Sequence, residues 1–313
     1  METEQTHQET AVSRSAPAAS PKKMGKLRAS YLLATEGFEL LKKDKHILLF
    51  PVFSALACVA LFLIPCLLYW FSGGAFDLKE AESASYKISS TGYAVLLVFY
   101  LVLFFVTTYF QAGLMAVVHA RINGRSMTFQ EGMNAAKTHA EKIFLWSLVS
   151  ATVGVVLGFI SDRSKWFGKI VSFFLRASWG IATFFIVPVL ILEEGNISDS
   201  IKSSTETFKK TWGETIFVNF GAGLFFVLVA FLGLFISGSL MALDFVVFPE
   251  IIAVPIFLIL LTVLIFFLIG IAIVSSAINS VFRVVLYEYA KSGHIADTFA
   301  PELILGALKK RHE

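Results

Sequence analysis

The sequence predicts an all-α membrane protein with six transmembrane helices in three hairpins, each hairpin preceded by an amphipathic interfacial helix. Three observations predict it. The chain of 313 residues is 56% hydrophobic and 16% charged, against about a quarter charged in an ordinary soluble domain. Six apolar stretches are each long enough to cross a bilayer. Ahead of every odd-numbered stretch lies a segment with apolar residues at helical spacing.

Residues 1–23 are rich in Thr, Ser, Glu, Gln, Ala and Pro. That composition cannot bury a core, so a disordered cytosolic tail is expected. The membrane domain is expected over residues 24–289 and a second cytosolic tail over residues 290–313. No apolar run precedes Ile47, so the first span is expected to act as the insertion signal. The first amphipathic segment carries Leu27, Tyr31, Ala34, Phe38 and Leu41, with Lys42, Lys43 and Lys45 after it. The first span, 47–71, holds both cysteines. Cys58 and Cys66 are about 12 Å apart along one helix, too far to bridge. The second span is 93–118. A second amphipathic segment follows with Phe129, Met133, Ala136, Ala140 and Ile143, and Thr128 with Glu131 spells a capping box at its start. The third span, 143–160, is short and calls for snorkelling of Lys142 and Arg163. The fourth is 170–192. The third amphipathic segment places Ile201, Thr205, Phe208, Trp212 and Thr215 on one face. The fifth span is 216–243. The sixth, 251–286, is longer than a bilayer needs, so it is expected to leave the membrane near Ala277 and continue as a helix toward Tyr289.

The connections decide the orientation. Of the 26 Lys and Arg, 19 lie in the N-terminal segment, the 119–142 and 193–215 connections and the C-terminal tail. The positive-inside rule therefore puts both termini in the cytosol; a bacterial inner membrane is the expected location. Helices with a narrow apolar stripe and basic flanks, placed just before a span, are expected to lie along the anionic inner leaflet. The lipid-interface candidates are Phe38, Lys42, Lys43, Phe208, Lys209, Lys210 and Trp212. The other reading of the same stripes is a set of ordinary cytosolic helices packed on one another. The expected partners are the lipid bilayer and other membrane proteins. A net charge of +3 is too small to suggest nucleic acid.

Polar residues at membrane depth fall on the even spans. A polar interior is expected from Gln111, Arg176, Asn279 and Arg283, because an unpaired polar group in hydrocarbon is costly. Snorkelling of the two arginines is the competing account. Gly154 and Gly158 form a GxxxG pattern that reads as a helix contact face. The six histidines form no metal-binding spacing, and no Walker, Rossmann or nucleophile-elbow motif occurs. No catalytic residue, metal ligand or cofactor is therefore assigned. Glu193–Glu194 reads as a solvated helix end, and Asp244 with Glu250 as a tight solvated turn. Asn196-Ile-Ser198 reads as a chance match to a glycosylation pattern.

The stretch Ser178-Trp179, Thr183-Phe184-Phe185 and Val187-Pro188, followed by Lys209-Lys210-Thr211-Trp212-Gly213-Glu214, resembles an uncharacterised family of prokaryotic integral membrane proteins, a domain of unknown function. Ser150-Ala151-Thr152-Val153-Gly154 and Asp44 with Phe50-Pro51 are similar to it too. The resemblance spans about Phe38 to Tyr287; it implies the six-span architecture and adds no activity. The helix-before-span pattern is also similar to the membrane portion of glycerophosphodiester phosphodiesterases, whose catalytic barrel this chain lacks. The functional expectation is a non-enzymatic inner-membrane protein that organises lipid or partner proteins at the cytosolic leaflet. A transporter or channel lined by the second, fourth and sixth spans is the alternative. A lipid-modifying enzyme, with no nucleophile or metal set in view, comes third.

Overall fold

Six stretches of the computed structural model are long and apolar enough to cross a membrane: Lys45–Leu67, Leu97–Ile122, Ala140–Gly158, Gly168–Leu192, Gly223–Asp244 and Ile251–Ser292. The chain is thus a multi-pass membrane protein. The structure describes residues 35, 38–39, 41–42, 44–71, 90–163 and 167–293. Lys43, most of the first amphipathic stripe (Leu27, Tyr31, Ala34) and the two expected tails up to 23 and from 294 lie outside them. Among the described residues 91% are α-helical and none is in a strand.

A 3-10 turn, Lys45–Leu48, leads into α1, Leu49–Phe71. Helix α2 runs Ser90–Ile122 and stops at Gly124, whose φ of 73° a side chain would oppose. Arg125 N–H reaches the Ala120 carbonyl at 2.9 Å and Gly124 N–H the Arg121 carbonyl at 3.1 Å, the two bonds of a Schellman stop. Helix α3, Phe129–Thr138, starts with the capping box read from sequence: Thr128 Oγ1 accepts from Glu131 N–H, and Glu131 accepts from Thr128 N–H at 2.7 Å. Helix α4 is Ala140–Arg163 and α5 is Phe167–Ala182. A three-residue turn separates α5 from the short α6, Ile186–Leu192. Helix α7 is Ile197–Val247, with non-helical geometry at Thr211. Asn196 caps it, accepting from Asp199 N–H at 3.0 Å, which gives the Asn-Ile-Ser triplet a local structural role. Helix α8 is Glu250–Ser292, ended by Gly293 at φ 72°. It continues past Tyr289, in line with expectation.

Helix α2 is the hub and touches α1, α3, α4, α6 and α8. Its stretch Ala112–Val118 is buried all round. Around it pack Phe50 of α1, Ala136 of α3, Ile143 and Trp146 of α4, Val189 and Leu190 of α6, and Ile278, Val281 and Val285 of α8. This core occupies one end of the bundle, where the Lys- and Arg-rich connections 119–142 and 193–215 also lie; we call it the basic end. The opposite halves are bare: Phe235 is 74% exposed, Phe266 70% and Phe62 61%. Apolar surface on that scale suits lipid, not water. Helices α7 and α8 cross this region held by their own contact, with Gly233 packed so closely on the Phe267 ring that a Cβ there would clash with it.

The α3 stripe turns inward, and on α7 the buried face is shifted from the expected stripe, sharing only Phe208 with the fully buried residues. On α3, Ala136 and Gly132 are buried and Met133 half-buried, and a Cβ on Gly132 would meet Phe50 Cζ at 2.7 Å and the Gly113 carbonyl at 2.9 Å. On α7, Ser204, Thr207, Phe208 and Thr211 are buried. On the first segment Leu41 is buried while Phe38 is 45% exposed. Where the stripes are described, Ala136, Leu41 and Phe208 are covered by protein, while Phe38 and Trp212 stay exposed.

Candidate functional site

The basic end is closed by a network of charged side chains. Glu193 directly follows α6, and its carboxylate collects three side chains from two helices, α7 and α8. Tyr287 donates to it at 2.8 Å and Ser203 at 2.8 and 3.0 Å, while Lys291 pairs with it at 2.8 Å. Lys142 at the start of α4 donates to the Glu193 backbone carbonyl at 3.2 Å. Burial pushes this carboxyl upward, but the bonds from Lys291, Ser203 and Tyr287 with the Lys291 charge outweigh it and hold the group below the usual range. One link away, His119 Nε2 lies 2.6 Å from Glu288, joining α2 to α8. Arg121 stands 4.0 Å from Asp44, joining α2 to the segment before α1. Glu193 was expected as a solvated helix end; it is a tie instead, because Lys142 and Lys291 converge where α6 stops. A carboxylate occupied on both oxygens is poorly placed to move a proton. Among the described residues no three His, Cys, Asp or Glu gather where a metal would need them.

Above this network the fourth span breaks at Thr183–Phe185. Pro188 lacks the N–H that would reach the Phe184 carbonyl, so the regular ladder cannot run through. Broken backbone in an apolar setting needs partners. Ser204 of α7 accepts from Phe185 N–H at 3.1 Å, and Thr205 donates to the Ala182 carbonyl at 3.4 Å. Phe184 is exposed by the break to Phe208, with ring centroids 5.9 Å apart, and to Arg283, whose guanidinium carbon is 4.9 Å from the ring centroid. On the other side Trp146 and Trp179 stack at 5.8 Å and 14°.

The interior where α2, α6 and α8 meet is filled by Met115, Val117, Val189, Leu190, Ile278 and Val281. The four polar candidates do not converge there. Gln111 is half-buried in an open groove of about 350 Å³ between α1, α2 and α8, with Ser54, Thr107 and Ser276 on its margin. Asn279 donates to Ser275 at 3.4 Å. Arg283 stands over Phe184, and Arg176 lies on the exposed side of α5, about one turn outside the Trp146–Trp179 stack. Arg176 is left out because the core closes at that stack and the bundle is uncovered beyond it. Ser147, Ser280 and Thr211 return their hydroxyls to carbonyls of their own helices.

The lipid-interface candidates divide. Phe208 is in the core. Lys209 and Lys210 are exposed and Trp212 is 51% exposed, beside the irregular Thr211. Phe38 carries Lys42 over its ring at 5.1 Å, and Lys42 also pairs with Glu39 at 3.0 Å. Asp244 corrects another expectation: it is buried at 4% exposure, and neither carboxylate oxygen has a hydrogen-bond partner among the described residues. Sequence reasoning missed Ser203, Ser204 and Tyr287. The run Ser203-Ser204-Thr205 at helical spacing with Phe208, read together with Pro188, is the signal that points to a broken neighbour needing donors and acceptors.

A family model described as a family of unknown function (DUF6159) matches residues 90–297. No curated protein and no solved structure matches. None of these comparisons supports the weaker resemblance to glycerophosphodiester phosphodiesterases.

Proposed function

The chain belongs to the family of unknown function DUF6159, and from that premise we propose that it is a non-enzymatic membrane protein whose basic end organises anionic lipid of the cytosolic leaflet. The observation that carries this is the outward edge of α7 at Thr211. Residues up to Thr211 dock on the bundle through Ser204 and Phe208, and Lys209, Lys210 and Trp212 face away from it. An indole beside two ammonium groups suits the headgroup level of an anionic surface, where each basic residue contributes about 1 kcal/mol. In this reading the basic end faces the cytosol and the bacterial inner membrane is the site of action.

The test uses the full chain in liposomes, with every tryptophan except Trp212 changed to Phe. Brominated phosphatidylglycerol is expected to quench Trp212 several-fold more than brominated phosphatidylcholine. Lys209→Gln with Lys210→Gln is expected to erase the difference. Equal quenching by the two lipids in the parent protein refutes the reading. A transporter or channel is the second reading, favoured by the broken fourth span beside Arg283. Solute flux across the same liposomes, lost in Asn279→Leu, would put it first.

A further inference from the structure

Arg283 lies eight residues before Lys291, about 12 Å further from the basic surface. Its guanidinium stands on the Phe184 ring, and its Nε is buried without a hydrogen-bond partner. No carboxylate of the described residues pairs with it. A guanidinium does not discharge. Leaving it unpaired at the edge of the apolar core is costly, and a cation–π contact offsets only part of that cost. The chemistry is short of one anion.

Arg283 is also the end of a polar stripe. Ser276, Asn279 and Arg283 recur at steps of three and four, so they share a face of α8. That face is less covered than its opposite, where Ala277, Ile278, Val281 and Val284 are all fully buried. Asn279 spends one amide hydrogen on Ser275 and keeps a second. Ser276, about 10 Å along the axis from Arg283, lines the groove between α1, α2 and α8. The groove is walled by Phe110, Leu114, Ile269 and Ile273 and has Gln111 at its margin. The order along the stripe is therefore cation, amide, hydroxyl, apolar trough.

We propose that this stripe holds one phospholipid, with its phosphate on Arg283, its ester oxygens at Asn279 and Ser276, and an acyl chain in the groove. The proposal rests on the reading that this protein deals with lipid, and it names a defined site for one lipid molecule apart from the Lys209–Trp212 edge. Charge complementarity selects the occupant. A neutral diacylglycerol leaves Arg283 unpaired, and a free phosphate leaves the groove unfilled.

The experiment is native mass spectrometry of the full chain released from mild detergent. The added probes are phosphatidylglycerol, the diacylglycerol with the same chains, and glycerol phosphate. The parent protein is expected to retain one phosphatidylglycerol about tenfold better than diacylglycerol. Arg283→Gln is expected to remove that preference, and Arg283→Lys to keep most of it. Ala272→Trp, which fills the groove and leaves Arg283 in place, is expected to lower phosphatidylglycerol retention about tenfold. Unchanged retention in Arg283→Gln or in Ala272→Trp overturns the site, as does displacement of the lipid by equimolar glycerol phosphate. Retention that survives while the Trp212 quenching contrast is absent sinks the edge reading alone and leaves this site standing.

Discussion

Glu193 shows how much one residue can fasten. Its carboxylate takes Tyr287 and Lys291 from α8 and Ser203 from α7, and its carbonyl takes Lys142 from α4. Hydrogen bonds to an ionised group contribute about 1.5–3 kcal/mol when buried; partial exposure lowers the total. Glu193→Gln is expected to cost about 1–2 kcal/mol at pH 7, read as a fall of about 5 °C in melting temperature in detergent. The pH dependence has a definite sign. The folded carboxyl titrates below its ordinary value of about 4.3, so its stabilisation is complete above that value and fades as pH falls through the folded one. The gap between parent and Glu193→Gln is expected to be open at pH 7 and to narrow as pH falls below about 4; equal melting temperatures at pH 7 refute the tie. Sequence carried only half of this. The adjacent acids Glu193 and Glu194 were visible, but which acid meets a lysine 98 positions away is settled by where α6 stops; Gly195 at φ 129° and the Asn196 cap mark a boundary there without saying which side chains meet it.

At the scale of an element, α3 depends on two glycines that face each other. A Cβ on Gly132 would lie 2.6 Å from Val117 Cγ2 and 2.9 Å from the Gly113 carbonyl, and one on Gly113 would lie 2.7 Å from Phe50 Cε1. Side-chain tips can shift; a carbonyl of the hub helix cannot. Gly132→Ala is therefore expected to cost about 1–3 kcal/mol as overpacking and to speed tryptic cleavage at the exposed Arg125. Gly154→Ala is the contrast, because a Cβ there sits 3.5 Å from the Tyr100 hydroxyl, an ordinary contact. It is expected to leave both melting and cleavage unchanged; equal effects of the two substitutions would show that close approach is not what seats α3. The six spans and the α3 capping box were legible because hydropathy and cap chemistry are written along the chain. The facing of the stripes was not, since an apolar residue reads alike whether lipid or protein covers it. The GxxxG pair Gly154–Gly158 drew attention to α4, while the close crossing lies at Gly113–Gly132, glycines 19 apart with no shared motif.

The whole molecule is two regions with different solvents, and the lengths of its helices say where they divide. Helix α8 has 43 residues and is about 64 Å long, against a hydrocarbon layer of about 30 Å. The excess lies at the basic end, where from Ala277 to Tyr287 every residue but Asn279 and Arg283 is buried. Apolar burial drives folding only where water is the alternative. A core of Phe50, Val117, Ile143, Val189 and Val281 belongs where the helices stand clear of hydrocarbon. Bare Phe62, Phe235 and Phe266 belong where they do not. Urea acts from water and should reach the first region alone. In detergent, a few molar urea is expected to abolish the near-ultraviolet circular dichroism of the Trp146–Trp179 stack while most far-ultraviolet helical signal persists. The outer halves of α1, α2, α7 and α8 keep their backbone bonds inside each helix and remain in the micelle. Coincident loss of the two signals would mean one cooperative unit, and the division at Ala277 would then have no energetic content.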